Sequence, residues 1–386
     1  MSRLYFDYAA STPLDPRVKE AMDQAAMTAG NPSSLHASGR MLREKIDRAR
    51  QSVAELLDVD ETEVIFTSGA TESNVAALDG IVRAARASRP EKRLRIAAGA
   101  IEHSSVSATL AQLREYGIAI DNVPVDADGR VSPEDIAKAI TPDTIIVCVM
   151  WANNVLGSIQ PIAEIGGVVA AARAKRGPKD PPLLFVCDAV QAMSTQPVLP
   201  RQHGIDALSL SAHKMYGPKG VGALYLKRGT PFAPLITGGG QESGRRSGTE
   251  NVAGIVGLGR AADLLLVERE TDRERTAALR AGLVRELRAI SGLEVFGDDG
   301  RQLPGTVFVS GRENGDVMAM KFDVAGMAVS AGSACDAGSR KNSSALAALP
   351  DRKFFEKGGI RISFGRFTTE QEIRTLAAQT KKLVRQ

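Results

Sequence analysis

The chain has 386 residues, of which 43% are hydrophobic and 24% charged, and this is the composition of an ordinary globular protein. The net charge is only +4, because 49 lysines and arginines are offset by 45 aspartates and glutamates, so the sequence gives little support to nucleic-acid binding. The sequence contains no run of 18 apolar residues, and we therefore expect no segment that spans a membrane.

The use of cysteine favours a reducing compartment. Cys148, Cys187 and Cys335 are far apart in the sequence, so we expect no disulfide framework. The first residues show no basic region followed by a long apolar core, so we expect no secretory signal. Together these features predict a cytoplasmic protein.

The first two thirds of the chain alternate helical and strand-like segments. Apolar residues at 42, 46, 49, 53 and 56 recur every three or four residues, which predicts one face of a helix. A short strand at 64–67, a turn at 68–71 and a helix at 72–87 follow. Further strand-like runs lie at 94–98, 145–150, 183–187, 207–210 and 222–226. Several are apolar on both faces, as strands covered by helices on both sides must be. The alternation predicts an α/β fold with a mostly parallel sheet.

The pattern changes near residue 254, where a charge-rich helical stretch begins and continues to about residue 290. A strand at 306–309 comes next, and Thr369 and Glu372 have the spacing of a capping box that opens a last helix. We predict a large α/β domain at 15–260. Residues 1–14 and 261–386 would form a smaller α+β domain that carries a loop with Cys335.

The strongest chemical signal surrounds Lys214, which follows an apolar strand and lies between Ser211, His213 and a Gly-Pro-Lys-Gly loop. A partly buried lysine has a lowered pKa and forms Schiff bases with aldehydes, so this setting suits an aldehyde cofactor. Ser211 and His213 could hold a phosphate. The plain alternative, a solvated lysine at a strand end, is disfavoured by these neighbours.

Two further patterns point to the same kind of site. Asp188 follows an apolar strand, where ligands bind in α/β sheets, and its carboxylate could keep a pyridine nitrogen protonated. Capping of the next helix is an equally good explanation of this aspartate. The Gly/Ser/Thr turn at 67–74 opens a helix whose first amides favour a phosphate, although an ordinary helix cap explains the turn as well.

The remaining candidates are single residues. His103 follows a strand and a short turn, and a lone histidine is usually structural. Cys335 has small polar neighbours with Arg340 and Lys341 beyond them, which could favour a thiolate, whereas an incidental loop cysteine is the alternative. Cys148 and Cys187 lie inside apolar strands and are expected to be inert. The chain has no HExxH, CxxC or paired Cys/His spacing, so we expect no metal site.

Taken together, these motifs resemble the pyridoxal-phosphate (PLP) enzymes of the class V aminotransferase superfamily, and most of all the cysteine desulfurases of the NifS/IscS-like group. The resemblance extends over nearly the whole chain, and its motifs occur in order at residues 5–13, 30–36, 66–74, 102–103, 153–154, 188–191, 211–214, 246–251, 332–335 and 361–368. So many ordered matches are poorly explained by chance.

The resemblance implies a fold type I PLP-dependent transferase that forms a homodimer, with active sites at the subunit interface. It implies that Lys214 binds PLP covalently and then acts as acid and base, that Asp188 pairs with the pyridine nitrogen, and that His103 stacks on the ring. Gln191 and Asn154 would lie near the ring hydroxyl. The phosphate would be held by Ala70, Thr71, Ser211 and His213, with Thr249 reaching over from the other subunit.

The implied reaction converts L-cysteine to L-alanine. Arg361 would bind the substrate α-carboxylate, for which a bidentate guanidinium is suited, close to Asn154. Cys335 would attack the substrate sulfur and keep it as a persulfide, for delivery to an acceptor protein or an iron–sulfur scaffold protein. Two alternatives stay open: another class V PLP reaction, such as transamination or selenocysteine lyase chemistry, or a catalytically weak scaffold for sulfur-accepting partners.

Overall fold

A computed structural model describes residues 3–91, 93–178, 180–297, 300–332, 344–350 and 357–385. Within these ranges the helices are α1 (Pro16–Ala26), α2 (Ala37–Leu57), α3 (Ala70–Ser88), α4 (Ser104–Glu115), α5 (Pro133–Ala139), α6 (Ile162–Ala174), α7 (Val252–Arg288), α8 (Gly315–Val324), α9 (Ser344–Ala348) and α10 (Glu370–Arg385). The strands are β1 (Leu4–Tyr5), β2 (Val64–Thr67), β3 (Arg95–Gly99), β4 (Ala119–Val123), β5 (Thr144–Cys148), β6 (Leu184–Asp188), β7 (Ala207–Ser211), β8 (Gly222–Leu226), β9 (Leu293–Val295), β10 (Thr306–Gly311), β11 (Met327–Ala328), β12 (Ser330–Ala331) and β13 (Ile360–Ser363).

A seven-stranded sheet in the order β2-β8-β7-β6-β5-β3-β4 forms the centre of the molecule. β8 runs antiparallel to its neighbours β2 and β7, and the other pairs are parallel, so the predicted mostly parallel sheet is confirmed. Each predicted strand of this sheet is found within one or two residues of its expected position.

Helices cover both faces of this sheet, which explains why its strands are apolar throughout. Along β6, Phe185 and Cys187 pack into a core with residues of α2, α6 and α7, whereas Leu184 and Val186 pack into a second core with residues of α3 and α4. Successive side chains of a strand point to opposite faces, so a strand between two helical layers must be apolar at every position.

The helix α7 connects the large sheet to a smaller unit. Its first half packs against α1 and α2, while Leu279, Leu283 and Leu287 in its second half enter a separate core. That core also contains residues of the four-stranded antiparallel sheet β12-β13-β10-β9 and of α10. The predicted boundary near residue 260 falls inside α7, and the division into two domains stays a prediction.

The first residues of the chain belong to the small unit. β1 pairs with β11 in parallel, and Asp7 forms an isolated bridge with Ser363. The predicted capping box of α10 is confirmed, because Thr369 N donates to Glu372 Oε2 (2.7 Å) and Glu372 N donates to Thr369 Oγ1 (3.2 Å). Among the described residues, no helix has the length and apolar character needed to cross a membrane.

Two adjacent glycines of α6 allow a matched test of packing. A Cβ added to Gly166 would clash with the backbone carbonyl oxygen of His203, whereas a Cβ added to Gly167 would meet no atom within 4 Å. We expect Gly166→Ala to destabilise the protein by about 1–3 kcal/mol through overpacking. Gly167→Ala should stabilise it by up to about 1 kcal/mol, because alanine favours the helix. Thermal denaturation at one protein concentration measures both, and equal shifts in Tm would contradict this packing.

Candidate active site

The main cavity lies at the carboxyl ends of the parallel strands and has a volume of about 460 Å³. Its lining includes Asp188 and Ser211, the last residues of β6 and β7, and Met150, which follows β5. The predicted cofactor-binding residues that line it are Ala70, Thr71, His103, Asn154, Asp188, Gln191, Ser211, His213 and Lys214. Segments that are far apart in sequence therefore come together at one edge of the sheet, as the crevice rule for α/β sheets requires.

Lys214 ends a short 3₁₀ turn, Ala212–Lys214, that directly follows β7. Its Nζ donates to the carbonyl oxygens of Ala9 (2.5 Å) and Ala10 (2.8 Å). Gln191 Nε2 also donates to the Ala9 oxygen, at 3.0 Å. The N-terminal segment thus forms one wall of the cavity and holds the amine of Lys214 at the strand end.

Asp188 is 5% exposed and uses its two carboxylate oxygens differently. Oδ1 accepts from the backbone N–H of Val190 (3.0 Å), and Oδ2 accepts from Asn74 Nδ2 (2.8 Å). Capping of a following helix is wrong, because a turn and then β7 come after β6, so Oδ1 binds the amide of a turn while the side chain also lines the cavity.

The turn before α3 ends in glycine and borders the cavity. Its last residue, Gly69, has a φ of +154°, which glycine adopts more readily than other residues. No side chain in the described part of the chain caps α3 by a hydrogen bond, so its first amides are open towards the cavity that Ala70 and Thr71 line. Gly222 must also be small, because an added Cβ would lie 2.5 Å from Leu210 O and 2.8 Å from Gly69 Cα.

Glu72, in the first turn of α3, is held by other groups of the protein. Its carboxylate accepts from Arg246 Nε (2.8 Å) and from the backbone N–H of Ser68 (2.8 Å). Burial by itself raises the pKa of Glu72, but the hydrogen bonds from Arg246 and Ser68 outweigh it and lower the pKa below its ordinary value. Glu72 stays ionised, and the charge of Arg246 balances it beside the turn before α3.

His213 lies half-buried between positive charges. Burial, followed by the charges of Lys214 and Lys219, lowers the pKa of His213 to about 4. The ring is therefore neutral at pH 7, and its Nδ1 lies 3.4 Å from Ser11 Oγ. A neutral imidazole can donate one hydrogen bond to a phosphate without adding a charge to the site.

His103 caps α4, since its Nδ1 accepts from the backbone N–H of Ser105 at 3.1 Å. The same nitrogen lies 2.8 Å from Ser105 Oγ. The ring lines the cavity, so this histidine has both a structural contact and access to a ligand.

Three buried polar residues around the cavity were given no role by the sequence reasoning, although Asn74 and Glu102 belong to motifs that it identified. Asn74 and Ser105 connect Asp188 with His103 by hydrogen bonds. Glu102 accepts from the backbone N–H of Met150 (2.8 Å), and burial raises the pKa of its carboxyl well above the usual range. Two features of the sequence could have identified them. Asn74 is a polar residue on the inner face of α3, and Glu102 directly precedes His103.

Arg361 and Thr249 lie outside the lining of the main cavity. Arg361 is 2% exposed and donates to Asn154 O (2.7 Å) and to Asp7 Oδ1 (2.8 Å). Its Nε is buried without a hydrogen-bond partner among the described residues. Thr249 is exposed and lines a second cavity, which shares Ser68 and Gly220 with the first.

Cys335 and the loop around it lie outside the described residues, so its predicted role stays a prediction. The other two cysteines, Cys148 and Cys187, are completely buried in β5 and β6, and burial raises the pKa of both thiols well above the ordinary value. Neither thiol is set up to form a thiolate near neutral pH.

The site has the features of PLP-dependent enzymes of fold type I. A strand-end lysine, a buried carboxylate, an imidazole and an open helix N-terminus meet in one cavity. A model of the aminotransferase class-V family matches residues 4–376. Cysteine desulfurase IscS of Dictyoglomus turgidum is 39% identical over 373 residues, which are 96% of this chain and 91% of that protein. Putative cysteine desulfurase IscS 1 of Bacillus subtilis is 39% identical over 394 residues, covering 100% of this chain and 99% of that protein.

Solved structures agree with these relatives. A NifS-like protein superposes with a TM-score of 0.90 at 34% identity and covers 99% of both chains. The structure named SspA in complex with cysteine superposes with a TM-score of 0.81 at 31% identity, covering 95% of this chain and 100% of that chain. This chain belongs to the class V aminotransferase family and, within it, to the NifS/IscS-like cysteine desulfurases.

Enzymes of this family depend on PLP, and the cavity fits that cofactor. A volume of about 460 Å³ accommodates a phosphorylated pyridine ring together with a small amino acid. The uncapped start of α3, with Ser211 and His213 beside it, matches a phosphate, and the buried carboxylate of Asp188 matches a protonated ring nitrogen.

The lowered pKa of His213 predicts a loss of stability in acid. In the cofactor-free protein, His213 takes up a proton only near pH 4, whereas in the unfolded chain it does so near its ordinary value of 6.5. Between these values the unfolded chain binds more protons, so stability falls as the pH decreases from about 6.5 to about 4. We expect His213→Asn to lose less Tm over this range than the parent chain. The same pH dependence of Tm in both proteins would contradict the assignment.

Proposed function

We propose that this enzyme converts L-cysteine to L-alanine and keeps the removed sulfur as a persulfide on Cys335. The observation that carries the proposal is the cavity in which Lys214, Asp188, His103 and the amides of α3 meet at one edge of the sheet. The printed names of the relatives, cysteine desulfurases, and of the structural neighbour in complex with cysteine support the same substrate.

The position of each residue in the cavity suggests its role in the reaction. When bound, PLP supplies an electron sink that stabilises negative charge at the substrate Cα. Asp188 would hold the ring nitrogen in its protonated form, and Ala70, Thr71, Ser211 and His213 would hold the phosphate. Lys214 Nζ would bind the cofactor and then move protons at the substrate Cα. His103, with Gln191 and Asn154, would position the ring.

Arg361 is our candidate for binding the substrate carboxylate. It lies directly behind Asn154, which lines the cavity, and its guanidinium already pairs with Asp7. The buried Nε without a partner in the described part of the chain is a donor that an incoming carboxylate would satisfy.

The sulfur transfer balances without an external oxidant. The thiolate of Cys335 attacks the sulfur of bound cysteine, the S–S bond forms and the C–S bond breaks. The electron pair of the C–S bond stays with carbon, which takes up a proton and leaves as the methyl group of alanine. The thiolate must be accessible and activated for this attack, and the buried Cys148 and Cys187 lack both properties.

We further propose a cytoplasmic homodimer that passes the sulfur to an acceptor protein, for iron–sulfur clusters or other thio-cofactors. The exposed Thr249, in a cavity next to the main one, is a candidate to complete the phosphate site of a second copy. The names of the IscS relatives support the acceptor class, and the three separate cysteines support the compartment.

Lys214→Ala should remove the borohydride-reducible chromophore of the purified enzyme, because the covalent link to PLP would run through Lys214 Nζ. Turnover of cysteine should fall about 100-fold or more with the loss of acid–base catalysis. Lys219→Ala is the matched control, since Lys219 also lines the cavity, and it should keep the reducible chromophore. Absorbance spectra before and after borohydride decide the matter. A reducible chromophore that persists in Lys214→Ala would contradict covalent binding of PLP by Lys214.

Cys335→Ser should bind cysteine but yield no enzyme-bound persulfide and no alanine. Mass spectrometry of the cysteine-treated parent enzyme should find the added sulfur on Cys335 and none on Cys148 or Cys187. Sulfur on a buried cysteine would contradict the role of Cys335. Full turnover of cysteine in Cys335→Ser would favour transamination, and activity restricted to selenocysteine would favour selenocysteine lyase chemistry.

A further inference from the structure

A chain of buried hydrogen bonds joins Asp188 to His103 beneath the cavity. Asn74 Nδ2 donates to Asp188 Oδ2 (2.8 Å) and to Ser105 Oγ (2.9 Å). Ser105 Oγ lies 2.8 Å from His103 Nδ1. The chain therefore runs from the end of β6 through α3 to the first turn of α4, and it links a carboxylate and an imidazole that both line the cavity.

The donor and the acceptor of each of these hydrogen bonds follow from the chemistry of the groups. An ionised carboxylate only accepts, so the Asn74 amide must present its NH₂ group, whose two hydrogens serve the two acceptors. Ser105 Oγ accepts from Asn74 and has one hydrogen left, which it donates to His103 Nδ1. The backbone N–H of Ser105 donates to the same nitrogen (3.1 Å). His103 Nδ1 therefore acts as the acceptor at the end of this series of hydrogen bonds.

Burial makes these bonds hard to exchange for bonds to water. Asn74 is 2% exposed, Asp188 5% and Ser105 8%. A buried polar group that loses its partner suffers the full cost of desolvation, so the three side chains hold one another in a single arrangement. The imidazole, although less buried, is tied to this arrangement by two donors from Ser105.

We propose that Asn74 and Ser105 are positioning residues that fix the Asp188 carboxylate and the His103 ring as one unit towards the cofactor. The inference rests on the proposed roles of Asp188 at the ring nitrogen and His103 at the ring face. Two groups that contact different parts of one planar ring must keep a constant separation. The Asn74–Ser105 link sets that separation, so a displacement at either end is passed to the other.

A purely structural role makes a different prediction. In that case Asn74 only satisfies Asp188, Ser105 only stabilises the start of α4, and their losses are independent. Among the described residues no hydrogen bond joins Asn74 directly to His103, so coupling that travels through the protein's hydrogen bonds must pass through Ser105. Coupling of Asn74 with His103 that disappears when Ser105 is replaced therefore separates the two explanations.

The test is a double-mutant cycle in the full chain, read by the dissociation constant for PLP and by kcat and KM for cysteine. We expect Asn74→Ala to weaken PLP binding about tenfold, as for a lost hydrogen bond to a charged group. His103→Ala should cost at least about threefold less in the Asn74→Ala background than in the parent chain. In the Ser105→Ala background the two effects should multiply, because the link is already broken.

The matched control is Thr109→Val, which removes another buried hydroxyl of α4 while preserving its shape. Thr109 Oγ1 donates to the Ser105 carbonyl at 2.7 Å, and Thr109 is 6% exposed. This variant should change the PLP dissociation constant by no more than about twofold. An effect equal to that of Ser105→Ala would overturn the proposal, because it would show that any loss of packing in α4 disturbs the site.

Effects of Asn74→Ala and His103→Ala that multiply in the parent chain would also overturn the proposal. If Asn74→Ala does not fold, a cycle of Ser105→Ala with Asp188→Asn asks the same question, because the link between this pair runs through Asn74. A parent enzyme that binds PLP but releases no alanine from cysteine would contradict the proposed function alone, and the PLP dissociation constants would still decide the role of Asn74 and Ser105.

Discussion

The centre of the molecule is arranged around the buried carboxylate of Asp188. Its negative charge is almost removed from water and must be stabilised by other groups. Asp188 is 5% exposed and ends a strand that is buried along its whole length. Such a charge is costly unless hydrogen bonds and an opposite charge stabilise it. The protein supplies the Val190 amide and the Asn74 side chain. In the proposed site a protonated pyridine ring would supply the opposite charge, so the same compensation that permits burial would also favour this cofactor.

The other walls of the site come from the two ends of the sequence. The N-terminal segment delivers the carbonyl oxygens of Ala9 and Ala10 to Lys214, and this segment is fixed by contacts with the C-terminal unit. Asp7 pairs with Arg361, and Asp15 pairs with Arg366, which also pairs with Asp272. Hydrogen bonds from Arg17, and to a smaller extent from Arg366, lower the pKa of Asp15 to about 2. The cavity wall formed by the N-terminal segment therefore depends on how the small unit packs against the large one.

The sequence was informative wherever chemistry follows directly from local order. Apolar runs between helices predicted the strands, and a residue that directly follows such a run lies at the sheet edge where ligands bind. Asp188, Ser211 and Lys214 were found in this way, and the glycine turn before α3 by its position between a strand and a helix. Recognition of the family added Gln191 and Asn154, whose local patterns are unremarkable, and it assigned Cys335 a role that the described residues leave as a prediction.

By itself, then, the sequence determined the order of elements, the parallel sheet and the polar residues at the strand ends, because hydrophobic periodicity and strand termini are local properties. The tertiary structure alone decided which distant groups hold them: Asn74 on Asp188, Ala9 on Lys214, Asp7 on Arg361. These partners are separated by 114, 205 and 354 positions. Their contacts depend on helix orientation and on the packing of the two units, and no local pattern encodes either.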